Sequence, residues 1–148
     1  MAINQKIFIL VIVLEIMSSK SKGANAEREL FHMFWNNNLA CLRVAGSGST
    51  TLPAPDLLVG GAGRVMAIEC KAIKSGIKYL KEQQLNELQV FAKAFGAEPW
   101  VAIRFNRQGW RFLPITELGK SKGGTASISL EHALNKGLTF EQFIGKDS

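Results

Sequence analysis

Apolar and polar positions are patterned most sharply between Pro55 and Lys71. Leu57-Leu58-Val59 and Val65-Met66-Ala67-Ile68 are apolar runs on either side of Gly60-Gly61-Ala62-Gly63. Two such runs around a glycine-rich turn predict a β-hairpin, because glycine adopts the positive φ that a tight reversal needs. Charge is confined to the open end of this hairpin. Asp56 precedes the first strand, and Glu69 and Lys71 close the second. Side chains alternate along a strand, so Glu69 and Lys71 share one face while Ile68 and Cys70 take the other. Ionisable groups converging on an apolar hairpin are costly to bury without partners. A divalent metal held by Asp56 and Glu69, with Lys71 beside it, supplies a reason for the cluster.

The rest of the chain reads as helices and strands around that hairpin. Residues 24–38 carry helical periodicity through Ala26, Leu30, Phe31, Phe34 and Trp35, with Asn25 as the expected N-cap. Glu27 shares the face of Leu30, Phe31 and Phe34 and is therefore expected to point inward. Favourable placement in the first turn of a helix explains an exposed Glu, but not an inward one. Residues 39–44 predict a strand in which Arg43 is the only charge, followed by a glycine- and hydroxyl-rich loop, Ala45 to Thr51. No Gly-Lys-Ser/Thr follows, which excludes a nucleotide P-loop.

Residues 82–95 predict a second helix with Leu85, Leu88, Phe91, Ala92 and Phe95 on one stripe and Gly96 as its stop. Phe91 and Phe95 widen that stripe enough to admit a partner subunit. A strand over 99–105, a turn at 106–109 and a returning strand over 110–115 come next. A basic loop over 116–124 and a short strand over 126–130 follow. Thr139-Phe140-Glu141-Gln142 has the form of a capping box opening a terminal helix.

Composition narrows the class. With 148 residues, 47% of them hydrophobic, the chain suits one α/β or α+β domain with a central mixed sheet flanked by helices. A net charge of +6 favours an acidic partner, nucleic acid ahead of an anionic membrane surface. Lys71, Lys74, Lys78 and Lys81 follow the carboxylate hairpin with no acid among them, and Lys20, Lys22 and Arg28 form a second positive cluster. Cys41 and Cys70 lie in apolar runs without Cys-x-x-Cys spacing, which fits core thiols in a reducing cytoplasm better than a disulfide or zinc site. His32 and His132 have no companion at metal-ligand spacing.

The apolar run from Ile7 to Leu14 is shorter than the roughly 20 residues of a membrane span. The polar stretch after it lacks the small-residue cleavage site of a signal peptide. Residues 1–19 are expected to lie outside the fold, with Met17 as an alternative start, and 20–148 to form a single domain.

An inward Glu, an Asp at a strand start and a Glu-x-Lys strand make one coherent site. Asp56 and Glu69 suit Mg²⁺, which prefers hard oxygen ligands. A bound metal lowers the pKa of water and neutralises developing charge on a scissile phosphate, and a nearby lysine stabilises the transition state.

Pro55-Asp56 followed by Glu69-Cys70-Lys71 resembles the Asp…Glu-x-Lys pattern of the restriction-endonuclease-like nuclease superfamily. With Lys22-Gly23-Ala24-Asn25-Ala26-Glu27-Arg28-Glu29-Leu30, Arg43-Val44-Ala45-Gly46-Ser47 and Gly109-Trp110-Arg111-Phe112, the chain from about Lys20 to Leu118 resembles the archaeal Holliday junction resolvases. The resemblance implies a restriction-endonuclease-like fold in which Glu27, Asp56 and Glu69 bind Mg²⁺, or Mn²⁺ in its place, and Lys71 is catalytic. It also implies an active-site serine at Ser47, or at Ser49 if the loop shifts, and Arg28 and Arg43 directed toward the DNA backbone, with Lys22, Lys74 and Lys78 as further DNA contacts. A homodimer joined partly through Phe91 and Phe95 would nick four-way junction DNA symmetrically in recombination and repair, with recombination or replication proteins as further partners. The competing readings are a relative of the same fold acting on other branched or duplex DNA, and a non-catalytic DNA-binding module. The latter would not need acids facing a phosphate backbone.

Overall fold

The computed structural model describes residues 22–44, 52–74, 76–120 and 123–146. Helix α1 (Lys22–Asn36) leads into β1 (Ala40–Arg43), β2 (Leu57–Gly61), β3 (Arg64–Ile73) and β4 (Ile77–Leu80). Helix α2 (Glu82–Phe95), β5 (Glu98–Phe105), β6 (Gly109–Pro114), a 3₁₀ turn (Ile115–Glu117), β7 (Gly119–Lys120), β8 (Ala126–Ser129), α3 (Leu130–Lys136) and α4 (Phe140–Phe143) complete it. The extension over residues 1–19 lies outside the described residues.

The main sheet has the order β1-β2-β3-β5-β6. β1, β2 and β3 run antiparallel in succession, β3 and β5 run parallel, and β6 returns antiparallel. α2 makes the crossover that a parallel pair requires. A second sheet, β4-β8-β7, packs on the α2 side. The expected mixed sheet flanked by helices is the fold observed.

Alternation along β3 divides the core. Met66, Ile68 and Cys70 join Leu30 and Phe34 of α1, with Phe112, Phe140 and Phe143, on one side of the sheet. Ala67 faces the other side, with Leu85, Leu88 and Ala92 of α2 and with Leu80 and Ile128 of the second sheet. The hairpin reverses through Ala62 and Gly63, at φ 52° and 76°. Two successive left-handed residues match the twist of antiparallel strands. α2 spans the expected residues, and Gly96 at φ 82° closes it with its N–H on the Ala92 carbonyl. The Thr139 capping box forms as expected, although α4 is only four residues long.

Several details differ from expectation, among them the loop expected over 116–124, in which β7 pairs with β8. α1 begins at Lys22, so Asn25 lies inside the helix and does not cap it. Its side chain accepts a hydrogen bond from Arg28 at 3.1 Å instead. β4 occupies what reads as a basic segment, because pairing with β8 extends it. Helix α3 starts where the β8 strand was expected to end, capped by Ser129, which accepts from the His132 N–H at 3.1 Å.

Candidate active site

The site arises where β2 and β3 part. The Asp56 N–H donates to the Ile68 carbonyl at 3.0 Å, the last backbone rung of the pair. One residue pair further on, the Asp56 carboxylate takes over, Oδ2 accepting from the Cys70 N–H at 2.9 Å. β3 thereafter runs beside β5 alone among the described strands, and its Glu69 and Lys71 come to lie at the opening. The Asp56 carbonyl accepts from the Val44 N–H at 3.0 Å, which ties the opening to the end of β1. The hairpin thus brings Asp56 and Glu69 together as the strand pattern predicts.

Each neighbouring carboxylate has one cation. Lys71 Nζ lies 3.1 Å from Glu69 Oε1, and Arg43 Nη2 donates to Glu27 Oε2 at 3.1 Å. Among the described residues these two cations only partly counter the crowding of Glu27 and Glu69 with Asp56. Glu69 is only 8% exposed, and burial first and the Asp56 charge second push its pKa up to about 7 against the opposing pull of Lys71. Burial and Asp56 likewise raise Glu27, against Arg43. Cys70, buried beneath them, is raised well above the usual thiol range by burial and then by Asp56, Glu27 and Glu69. All three carboxylates therefore act on one small volume.

This donor set fits a hard divalent cation. It is all oxygen, largely buried and over-supplied with negative charge, so a metal would relieve what protonation otherwise must. Among the described residues, no three His, Cys, Asp or Glu side chains already enclose a common point. Arg43 and Lys71 each engage one oxygen of Glu27 and Glu69, and ligation by those oxygens requires displacing them.

The remaining expected residues divide. Arg43 sits at the site, paired to Glu27. Arg28 is only 7% exposed, and its guanidinium donates to Asn25. Lys74 is exposed just beyond β3, and Lys78 is half-buried on β4. Ser47, Ser49 and the side chain of Lys22 lie outside the described residues. Phe91 and Phe95 stack with ring centroids 5.4 Å apart, Phe95 being 53% exposed, so an aromatic pair stands on the surface of α2. Cys41 and Cys70 are buried free thiols, Cys41 with its pKa raised to about 12 chiefly by burial. No described helix is long and apolar enough to cross a membrane.

Sequence reasoning missed a polar cluster beside the site. Arg104 Nε donates to both oxygens of Glu29, at 3.1 and 2.9 Å, and Trp110 Nε1 donates to Glu29 Oε1 at 2.9 Å. These partners lie 75 and 81 residues apart, beyond any local pattern.

A mixed five-stranded sheet that parts at an Asp and carries Glu-x-Lys on the adjoining strand defines a nuclease of restriction-endonuclease-like fold. Residues 18–148 match the family described as archaeal Holliday junction resolvase (Hjc), and the chain belongs to that family. The chain is 40% identical over 103 residues to the crossover junction endodeoxyribonuclease Hjc of Archaeoglobus fulgidus, covering 70% of this chain and 76% of that relative. It is 30% identical over 129 residues to the enzyme of the same name from Sulfurisphaera tokodaii, covering 86% and 88%. The solved structure of Archaeoglobus fulgidus Hjc, a Holliday junction resolvase from an archaeal hyperthermophile, superposes with a TM-score of 0.75 at 35% identity, over 81% of this chain and 96% of that one. The family is one of nucleases that generally depend on a divalent metal.

Proposed function

We propose that residues 20–148 form a single Mg²⁺-dependent endodeoxyribonuclease domain that, as a cytoplasmic homodimer, resolves four-way DNA junctions by paired symmetric nicking. The observation that carries this reading is the convergence of Glu27, Asp56 and Glu69 where β2 leaves β3, with Lys71 against Glu69. A purely binding surface has no use for three acids facing a phosphate backbone.

In this reading Glu27, Asp56 and Glu69 would hold Mg²⁺, which when bound would supply charge neutralisation at the scissile phosphate and lower the pKa of a water. Asp56 is held for the task by the Cys70 N–H, so its carboxylate is fixed before DNA arrives. Lys71 shares the face of Glu69, and its ammonium orients the attacking water or takes the charge that develops on the phosphoryl oxygens. Arg43, paired to Glu27 in the metal-free protein, would be the cation at this site that contacts the phosphate backbone. The stacked pair of half-buried Phe91 and exposed Phe95 supplies an aromatic contact across a two-fold axis, setting two such sites on symmetrically related strands.

The test is incubation of the purified protein with a labelled four-way junction and a matched linear duplex, with and without Mg²⁺. Paired nicks at symmetric positions in the junction alone, dependent on the metal, are expected. Equal nicking of the linear duplex would replace the substrate part of the proposal, and no cleavage of either with Mg²⁺ would overturn it.

A further inference from the structure

A cleft of about 310 Å³ opens between the first turns of α1 and the ends of β3 and β5. Asn25 and Glu29 line it from the helix, Ala72 and Lys74 from β3 and its exit, and Arg104 and Asn106 from β5 and its exit. Its position follows from the topology. Ala26 in its helix wall directly precedes Glu27, and parallel pairing sets Ala72 beside Arg104 on the α1 face of the sheet, across the strand end from Lys71. The Asn106 N–H donates to the Ile73 carbonyl at 3.2 Å, which closes the far end.

The chemistry of the walls is that of an anion site. Lys74 is exposed and makes no ion pair among the described residues. Arg104 bonds, among those residues, only through Nε to Glu29. A guanidinium has five donors in a rigid fork, so the terminal amino groups of Arg104 remain to meet a phosphate. Glu29 is itself pinned by the Trp110 indole, so it holds Arg104 in one orientation. Lys74 stands three residues beyond Lys71, about 10 Å at roughly 3.3 Å per extended residue. That spacing suits a neighbouring phosphate along the strand.

We propose that this cleft is a phosphate-binding subsite for the DNA strand flanking the scissile bond. Arg104 and Lys74 are its cationic groups, Asn25 and Asn106 its hydrogen-bonding walls, and Glu29 the carboxylate that orients Arg104 while offsetting part of its charge. This rests on the nuclease reading above.

The test measures junction binding without divalent metal across a salt series, for the wild-type protein, Lys74→Gln/Arg104→Gln, Lys74→Gln alone and Glu29→Gln. Removing one cation that neutralises a phosphate should flatten the plot of log affinity against log salt by about 0.9. The double variant should therefore drop by about two such increments, and Lys74→Gln, an exposed change that leaves the fold alone, by about one. Glu29→Gln keeps an acceptor for Arg104 and Trp110 but removes a negative charge, so binding should tighten roughly 2–5-fold, the range of an exposed charge pair. Wild-type binding with unchanged slopes in the Lys74 variants overturns the subsite alone, as does weaker binding by Glu29→Gln. Failure of the wild-type protein to bind the junction overturns the nuclease reading and the subsite with it.

Discussion

The two ends of β3 carry opposite kinds of charge cluster. At the hairpin end, Arg64 is held by three hydrogen bonds. Its Nε and Nη2 donate to both oxygens of Glu98 at 2.9 Å each, and its Nη1 donates to the Phe143 carbonyl at 2.6 Å. Its guanidinium lies 5.1 Å from the centre of the Phe143 ring, and Trp100 Nε1 donates to Glu98 Oε1 at 3.2 Å. Hydrogen bonding between the pair, the largest cause on each side, raises Arg64 and lowers Glu98, so each charge is held by the other. At the open end, five residues along the same strand, Glu69 moves the opposite way, to about 7. One end is a clamp whose charges are satisfied by the fold. The other has its acids crowded and desolvated by the fold, which leaves them in need of a cation from outside. The carboxylate of the clamp thus shifts down, held by its hydrogen bonds to Arg64, while Glu27 and Glu69 at the open end shift up, chiefly through burial.

The largest expected effect bears on the open end. Asp56→Asn removes a proposed metal ligand and a negative charge together, so cleavage should fall by at least about 10²–10³-fold, the cost of deleting a key electrostatic interaction in a transition state. Junction binding should survive or tighten, and gel-shift and cleavage assays on the same samples separate the two. Equal loss of both, with the fold intact, would count against the role assigned to Asp56.

Glu69→Gln tests whether the crowding is real. A carboxyl whose folded pKa is raised adds stability that is complete below its unfolded value near 4.5 and lost as pH rises through the folded value near 7. In metal-free protein the stability of Glu69→Gln relative to wild type should therefore grow between those limits. A shift of this size sets a ceiling of about 3 kcal/mol, part of which is cancelled by losing the Lys71 ion pair. Thermal melts at a series of pH values read it, and saturating Mg²⁺ should erase or reverse the advantage. A difference independent of pH would show that Glu69 is not strained.

The smallest effect concerns the clamp. Arg64→Ala should cost about 1–2 kcal/mol, since its charged hydrogen bonds are partly screened by exposure, and it should loosen the docking of α4. Cleavage per folded molecule should not change, because Arg64 lies at the far end of the hairpin from Asp56. Loss of cleavage without loss of stability would break the separation of the two ends.

Most of what is local was legible in the chain alone. The hairpin followed from its apolar runs and turn, and the shared face of Glu69 and Lys71 from strand alternation. Helix α2 and its glycine stop followed from helical period and capping. The inward lean of Glu27 followed from its spacing to Leu30 and Phe34. The errors fall where local pattern competes with distant partners. Four residues of β4 become a strand only because β8 supplies the other edge. α3 is too short, at seven residues, to declare a period. Arg28 reads as a surface cation and is nearly buried. The pairing of Arg64 with Glu98, 34 residues away, has no signature along the chain, and neither has the Glu29, Arg104 and Trp110 cluster.

By itself, then, the sequence determined which residue types could do the chemistry and which of them share a strand or helix face, since alternation and helical period are properties of the backbone. The tertiary structure decided the electrostatic state of each group. The pKa of Glu69 depends on its depth of burial and on Asp56 across the strand gap, and Glu98 owes its opposite shift to the fork of Arg64. Those are matters of distance and solvent exclusion, which exist only once the sheet has closed.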